Sequence, residues 1–100
     1  MSGVKHDEGK VLGGLIGDFG LALLEVARVG TFGAQKYTRG GWQSVPNGEE
    51  RYNDAMWRHL LASSEEVTDP ESGLEHELHM VWNALAKLEL RMRNNNDNTT

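Results

Sequence analysis

Cysteine is absent from this sequence, and so are long apolar runs. Without cysteine, the chain can form no disulfide, no thiolate zinc site and no cysteine nucleophile. Residues 1–10 lack the apolar stretch of a signal peptide, and no run of about 18 apolar residues could form a transmembrane helix. We therefore expect a protein that stays in the cytoplasm where it is made.

Basic residues are scarce relative to acidic ones, with 10 Lys and Arg against 15 Asp and Glu and a formal net charge of −5. This balance argues against a nucleic acid polymer or an anionic membrane as the partner. It permits a small anionic ligand held by a few local cations or metal ions. A chain of 100 residues forms one domain that buries only about two thirds of its unfolded surface, so we expect self-association into a homo-oligomer.

Helical periodicity dominates the remaining sequence and predicts an all-α fold with three main helices at residues 19–37, 50–64 and 73–92. Residues 1–17 are predicted to form an extended N-terminal arm, and residues 93–100 a disordered polar tail, which leaves 1–92 as one helical domain. Asp18 is a candidate N-cap for the first helix. The residues expected to dock the arm, or to face the core from the second helix, are Val11, Leu12, Leu15, Ile16, Met56, Trp57, Leu60 and Leu61.

The third helix carries the most informative pattern. Ser72 and Glu75 have the spacing of a capping box at its start. Positions three and four residues apart share a helix face, so His76, His79 and Asn83 lie together and form a polar face suited to a ligand. The opposing stripe, predicted to build the core, consists of Leu74, Leu78, Val81, Leu85 and Leu88.

Glycines and aromatic residues raise two further alternatives in the first helix and the loop after it. Gly30 and Gly33 each cost about 1 kcal/mol relative to Ala inside a helix, which indicates either a close packing contact or a close approach by a ligand. Phe32, Tyr37 and Trp42 lie near the end of this helix. Their rings belong either to the core or to a surface on which a nucleobase stacks.

Polar residues from all three helices form the candidate site. Carboxylate and amide oxygens are the ligands that Mg²⁺ or Mn²⁺ prefers, so the set favours a phosphate and metal site. Zinc is an alternative, but the spacing from His76 to His79 is one residue shorter than in His-Glu-x-x-His. The histidines could instead be buried residues bonded to a neighbouring helix, and one of the acids could pair with Arg28 in solvent. The set is Glu25, His59, Asp69, Glu71, His76, His79 and Asn83.

Several segments resemble the phage dATP/dGTP diphosphohydrolase family, a relative of the MazG-like all-α nucleotide pyrophosphohydrolases. The similarity covers residues 5–91 in order, and its most specific blocks are Phe-Gly-Ala-Gln-Lys-Tyr at 32–37 and Asp-Pro-Glu-Ser-Gly at 69–73. Further matching segments are residues 25–31, Gly41-Trp42, residues 52–62, His79 and residues 83–85.

The resemblance implies a self-associating enzyme, active in the cytoplasm of an infected bacterium, that cleaves purine deoxynucleoside triphosphates between the α and β phosphates. It implies Mg²⁺ or Mn²⁺ held by Glu25, Asp54, Asp69 and Glu71, with Glu25 and Glu71 as catalytic residues. The purine nucleotide would be bound by Lys10, Phe32, Lys36, Trp42, His59, His76, His79 and Asn83.

Two departures from the family pattern support an alternative function. Val67 stands where an acid is usual, and Glu25-x-x-Arg28 replaces a Glu-x-x-Glu metal motif. A chain with too few metal ligands could bind a nucleotide, including a nucleotide immune signal, and sequester it without hydrolysis. A helical interaction module without a small ligand is a third possibility, but it does not explain the polar face of the third helix.

Overall fold

The computed structural model describes residues 8–99, with side chains described as far as Asn96. Three α-helices form the framework: α1 (Gly20–Lys36), α2 (Gly48–Ser63) and α3 (His76–Thr99). The predicted all-α fold with three main helices is confirmed. Most of the packing is between α2 and α3, while α1 lies against α3, so α3 is the central helix.

Shorter elements connect the helices. A 3₁₀-helix, Gly13–Phe19, leads into α1, and a second, Gly41–Ser44, lies between α1 and α2. An isolated antiparallel bridge joins Thr68 to Glu75, and no strand occurs in residues 8–99. None of the helices described is long and apolar enough to cross a membrane.

The predicted helix caps were wrong at two places. Phe19, not Asp18, occupies the N-cap of α1, and its phenyl ring has no oxygen with which to make a capping hydrogen bond. Asp18 is already part of the preceding 3₁₀-helix. The capping box is also absent, since the Ser72 hydroxyl accepts from the Leu74 N–H and the helix begins only at His76.

The N-terminal arm differs from its prediction as well. Its described part includes the 3₁₀-helix rather than continuous extended chain, and residues 1–7 of the predicted arm lie outside the described residues. The four apolar residues expected to dock it remain open to solvent, with Val11 94% exposed. The prediction that the arm docks onto its own chain through these side chains was therefore wrong. These four residues are Val11, Leu12, Leu15 and Ile16, and each is more than half exposed.

The third helix extends further than its sequence pattern indicated. It was predicted to end at residue 92 and to be followed by a disordered tail, whereas α3 continues to Thr99. Asn and Asp are poor helix formers but do not prevent continuation of a helix that is already formed. Ion pairing between Glu89 and Arg93, one turn apart at 2.6 Å, supports the helix across the predicted boundary.

The interior of the chain is small and partly polar. Among the described residues, the buried apolar ones are Val26 and Val29 of α1 and Ala86 of α3, and the buried polar ones are His76, His79 and Asn83 of α3. Of the stripe predicted to build the core, Leu74 and Leu78 are half-buried. The prediction was wrong for Val81, Leu85 and Leu88, which are 41%, 48% and 38% exposed. In α2, the core prediction was wrong for Trp57, Leu60 and Leu61, which are also exposed.

The dimensions of the molecule agree with this small interior. Its Cα radius of gyration is 16.7 Å, whereas a compact domain of 100 residues has a radius of about 13 Å. A single copy therefore leaves many large apolar side chains exposed, among them Leu21, Leu61 and Leu85.

Candidate functional site

A cavity of about 560 Å³ opens between α1, α2 and the N-terminal half of α3, and we call it the central cavity. Its volume lies in the range of small-molecule sites. One wall comes from the second half of α1, one from α2, and one from α3 and the segment before it. The residues that line the cavity include Phe32, Gly33, Lys36, Arg58, His59, Glu66, Asp69, Glu71, His76, His79, Trp82 and Asn83.

The Asp-Pro-Glu-Ser-Gly segment is a tight turn that holds the acids at the cavity. The Asp69 N–H donates to the Leu74 carbonyl at 2.8 Å, and the Gly73 N–H donates to the Asp69 carbonyl at 2.8 Å. Gly73 has φ +75°, a left-handed conformation that favours glycine. The Ser72 N–H donates to a carboxylate oxygen of Asp69 at 3.2 Å, so the turn fixes this side chain from within.

Asp69 is kept ionised by this turn. Desolvation opposes ionisation, but the hydrogen bonds from Ser72 outweigh it, and the pKa of Asp69 lies below its ordinary value. Its carboxylate also lies 3.5 Å from Nε2 of His79, whose side chain is buried. A fixed, ionised carboxylate at a cavity wall can accept a proton or bind a cation.

Three histidines form a connected cluster beneath the cavity. Nδ1 of His59 and Nδ1 of His76 are 2.8 Å apart, so one of these nitrogens carries the shared proton and the other accepts it. The rings of His59 and His79 stack at 4.3 Å with an interplanar angle of 8°. Nε2 of His76 contacts Glu66 at 3.1 Å, and Nε2 of His79 contacts the Ser72 hydroxyl at 2.7 Å.

Burial governs the charge of this cluster. Desolvation, together with the neighbouring imidazole of His79, lowers the pKa of His59 below its ordinary value. Desolvation also lowers the pKa of His79, against the opposing attraction of Asp69. Both rings are therefore neutral near pH 7. A neutral stack can donate and accept hydrogen bonds and presents no charge of its own to an anionic ligand.

Two cations lie at the cavity. The Lys36 ammonium contacts a Glu71 carboxylate oxygen at 2.5 Å and lies 5.5 Å from the centre of the Phe32 ring. The hydrogen bond from Lys36 to Glu71 raises the pKa of the lysine. Arg58 also lines the cavity, and no ion pair in the described part of the chain engages it.

Six of the eight predicted nucleotide-binding residues line the central cavity. Trp42 does not, because its ring packs edge-on against Tyr52 at 6.5 Å and Trp82 at 6.2 Å, and its carbonyl accepts from the Tyr52 hydroxyl. Lys10 is exposed in the turn before the first 3₁₀-helix and is not a lining residue. The six that line it are Phe32, Lys36, His59, His76, His79 and Asn83.

The predicted metal ligands are divided. Asp69 and Glu71 line the cavity, but Glu25 pairs with Arg28 at 3.1 Å, and Asp54 is exposed on α2. Neither of the latter two is a lining residue. In the part of the chain that the structure describes, no group of three or more His, Asp or Glu side chains is placed to hold a metal ion.

Sequence reasoning missed Arg58, Glu66 and Trp82. Arg58 has the spacing of a surface pair with Asp54, and this concealed its place at the cavity. Glu66 lies in an irregular segment without periodicity. Trp82 could have been found from its position next to Asn83 in the sequence. Its ring packs against Gly30 of α1.

Comparison with known proteins gives two matches. Residues 1–99 match the family model described as dATP/dGTP diphosphohydrolase, N-terminal. The chain is also 41% identical over 80 residues to a protein named dATP/dGTP diphosphohydrolase from Salmonella phage PMBT28. This alignment covers 79% of the chain but 26% of the relative, so the chain spans about a quarter of that protein's length. No solved structure matches the chain.

Proposed function

Because this chain belongs to the dATP/dGTP diphosphohydrolase N-terminal family, we propose that it binds a purine deoxynucleoside triphosphate and cleaves it between the α and β phosphates. The products are the monophosphate and pyrophosphate. The names of the family and of the phage relative support the purine substrate. The setting we propose is the cytoplasm of an infected bacterium. A closer relation to MazG-like enzymes stays a prediction.

The observation that carries this proposal is the composition of the central cavity. It brings aromatic side chains, Phe32 and Trp82, together with two cations, Lys36 and Arg58. Aromatic faces suit a base, and cations suit a polyphosphate. Two of the four predicted acids, Asp69 and Glu71, line the same cavity.

Asp69 and Glu71 fit a divalent cation that is shared with substrate phosphates. Mg²⁺ usually takes one or two carboxylates from the protein and its remaining ligands from phosphates and water. We propose that these two residues hold Mg²⁺ or Mn²⁺, which would neutralise phosphate charge and acidify a bound water. The turn that fixes Asp69 provides one preorganised ligand, and Glu71 provides one that exchanges partners.

Lys36 and Glu71 act as a pair in this proposal. In the ligand-free chain they contact each other at the cavity. A phosphate oxygen competes for the ammonium, and Glu71 is then released to bind the cation or to accept a proton from the attacking water. Arg58 contributes the second positive charge to the polyphosphate. The carboxylate of Glu71 is thus free of Lys36 only when substrate is bound.

Self-association is the second part of the proposal. The outward stripe of α3 and the exposed leucines of α1, including Leu21 at 87%, leave apolar surface that one copy does not cover. A second copy would cover it and raise the stability of a small domain. Glu25 of α1 and Asp54 of α2 do not line the central cavity, so association is also the way in which they could approach a site.

Sequestration without turnover is the alternative function, and one observation favours it. Only two of the four predicted metal ligands line the cavity, and both already have partners in the chain: Ser72 for Asp69 and Lys36 for Glu71. A cavity with aromatic and cationic walls can bind a nucleotide without a complete metal site.

The test is incubation of the chain with the four deoxynucleoside triphosphates and Mg²⁺ or Mn²⁺, followed by analysis of products and of bound nucleotide. We expect dGTP or dATP to give monophosphate and pyrophosphate, and Glu71→Gln to reduce the rate by at least about a hundredfold. Glu65→Gln is the matched control, since this exposed carboxylate is in the same segment but outside the cavity lining.

Three results would change the proposal. Orthophosphate as the first product would contradict the bond that is cleaved. Full activity of Glu71→Gln would contradict the role of this residue. Intact nucleotide retained by the wild type in the presence of Mg²⁺, and released unchanged on denaturation, would establish sequestration instead.

A further inference from the structure

Gly30 and Gly33 lie one turn apart in α1, in contrasting surroundings. A Cβ on Gly30 would lie 2.5 Å from two carbons of the Trp82 ring, Cη2 and Cζ3. Such contacts are not tolerated without movement of the ring. Gly30 is therefore a packing glycine, and its lack of a side chain lets α3 place Trp82 against α1.

Gly33 has no such neighbour. A Cβ built there meets no heavy atom within 4 Å, although Gly33 is a lining residue of the central cavity. Its φ is outside the left-handed region, so its backbone conformation does not require glycine. Neither packing nor conformation in this chain explains why the position lacks a side chain.

Helix stability would favour another residue at this position. Glycine is the least favourable residue of a helix interior after proline, and alanine is the most favourable. Substitution by alanine at a compatible position also reduces the entropy of the unfolded chain. A bare position that weakens the helix and faces a cavity is typical of a backbone that a ligand approaches closely.

The position of Gly33 in the cavity indicates which part of a nucleotide lies there. Phe32 and Trp82 line the same cavity. Lys36 lies about one turn after Gly33 along α1, and its ammonium pairs with Glu71. A nucleotide whose phosphates reach Lys36 therefore directs its base back towards Gly33 and the aromatic residues. A base is flat, and it can approach a helix most closely where no Cβ projects.

We infer that the missing side chain of Gly33 gives a two-ring base its room, and that Gly33 is a specificity-determining residue of the central cavity. This inference rests on the function proposed above. A one-ring pyrimidine does not fill the space beside Gly33, whereas a purine lies against the α-carbon. A methyl group at this position removes the space that distinguishes the two base sizes.

The experiment compares Gly33→Ala with the wild type in calorimetric binding of dGMP and dCMP, and in kcat/KM for dGTP and dCTP. The monophosphates separate binding from turnover. We expect Gly33→Ala to weaken dGMP binding by about tenfold or more, as an added methyl does in a fitted pocket, and to change dCMP binding by less than about threefold. The kcat/KM ratio of dGTP to dCTP should fall by a similar factor.

Gly20→Ala is the matched control, because Gly20 is also in α1, also has nothing within 4 Å of its Cβ, and is not a lining residue. Both alanine variants should fold, and the melting temperature of Gly33→Ala should equal or exceed that of the wild type. Only Gly33→Ala should alter nucleotide binding. A lowered melting temperature of Gly33→Ala would show that the space is needed for packing and would overturn the inference.

The remaining outcomes separate this inference from the proposed function. Unchanged dGMP binding by Gly33→Ala, with normal turnover of dGTP by the wild type, would overturn the role of Gly33 and leave the function standing. Equal weakening for dGMP and dCMP would overturn the assignment to base size. A wild type that neither binds nor cleaves any of the four nucleotides would overturn both.

Discussion

The polar face of α3 is buried and much of its apolar stripe is exposed, which is the reverse of what the polarity of the two faces suggests. Its polar face, with His76, His79 and Asn83, is buried against α1 and α2, whereas Val81 and Leu85 lie outward. The inward side chains are satisfied by one another and by the chain, since no buried side-chain nitrogen or oxygen among the described residues lacks a partner. The outward face has no comparable partners in a single copy.

This difference shows that the two faces are stabilised in different ways. Burial of a polar group is tolerated only when its hydrogen bonds are made, which requires fixed geometry and is suited to a site. Burial of an apolar stripe requires only area and is suited to association. The inner face therefore specifies the cavity, and the outer face is available to a second copy.

The largest expected effect concerns the outer face. Leu85→Glu places a charge in the middle of the stripe, where association would bury it unpaired. We expect the dissociation constant of the oligomer to rise by about a hundredfold or more, measured by sedimentation at micromolar concentration.

Leu85→Met is the matched control, because it preserves apolar area at the same position. It should sediment as the wild type does. If Leu85→Glu and the wild type have the same mass at all concentrations, the stripe is not the interface and the contrast between the faces loses its explanation.

The next effect concerns the packing of the inner face. Gly30→Ala would place a methyl group 2.5 Å from the ring of Trp82, and the ring would have to move. We expect a loss of about 1–3 kcal/mol in the free energy of unfolding, measured by urea denaturation. Gly20→Ala provides the control for a change of helix propensity without a clash. A stabilised Gly30→Ala would mean that Trp82 is not held closely against α1.

The sequence predicted the elements better than their orientation. The period of the apolar residues indicated three helices, and α1 and α2 begin and end within two residues of expectation. The rotation of a helix about its axis depends on which neighbour packs against it, and an apolar stripe does not say whether that neighbour is in the same chain. For this reason Val81, Leu85 and Leu88 were assigned to the wrong surface.

The site was predicted in part for a related reason. Asp69, Glu71 and the histidines are near one another in sequence or on facing helices, so local patterns were enough to group them. Asp54 was assigned through the family resemblance alone, whereas Glu25 and Trp42 were already candidates from the residues themselves. The fold of one chain places none of the three in the lining of the cavity. Gly30 and Gly33 could not be distinguished by sequence, because only the position of Trp82 separates a packing glycine from an open one.

A smaller effect is expected from the polar groups of the inner face. Asn83 donates from its side-chain amide to the His79 carbonyl at 2.8 Å, in a buried position. Asn83→Ala removes this donor, and we expect a loss of about 1–2 kcal/mol in the free energy of unfolding. Nucleotide binding should weaken as well, because Asn83 lines the cavity. Val81→Ala on the outer face is the comparison, and it should change association rather than nucleotide binding.

If Asn83→Ala binds dGMP as the wild type does, then the inner face is a structural seam and not part of the site. Calorimetric titration at matched protein concentration distinguishes these outcomes, provided that both variants retain the helical circular dichroism of the wild type.

The smallest expected effect is a dependence of stability on pH that arises from the histidine cluster. Burial lowers the pKa of both His59 and His79 in the folded chain. The unfolded chain therefore binds protons first as pH falls, so the stability that these neutral rings contribute is complete above their unfolded pKa of about 6.5 and declines below it. Between pH 7.5 and 5.5, the melting temperature should fall. His59→Asn should show a shallower fall, because one of the two titrating rings is gone and the stacked pair with His79, at 4.3 Å, is lost.

The measurement is thermal unfolding at constant ionic strength and at two protein concentrations, so that a change in association is recognised by its dependence on concentration. A melting temperature that rises on acidification in the wild type would mean that the cluster prefers the protonated state, and the inner face would then be a cationic surface rather than a neutral hydrogen-bonded one.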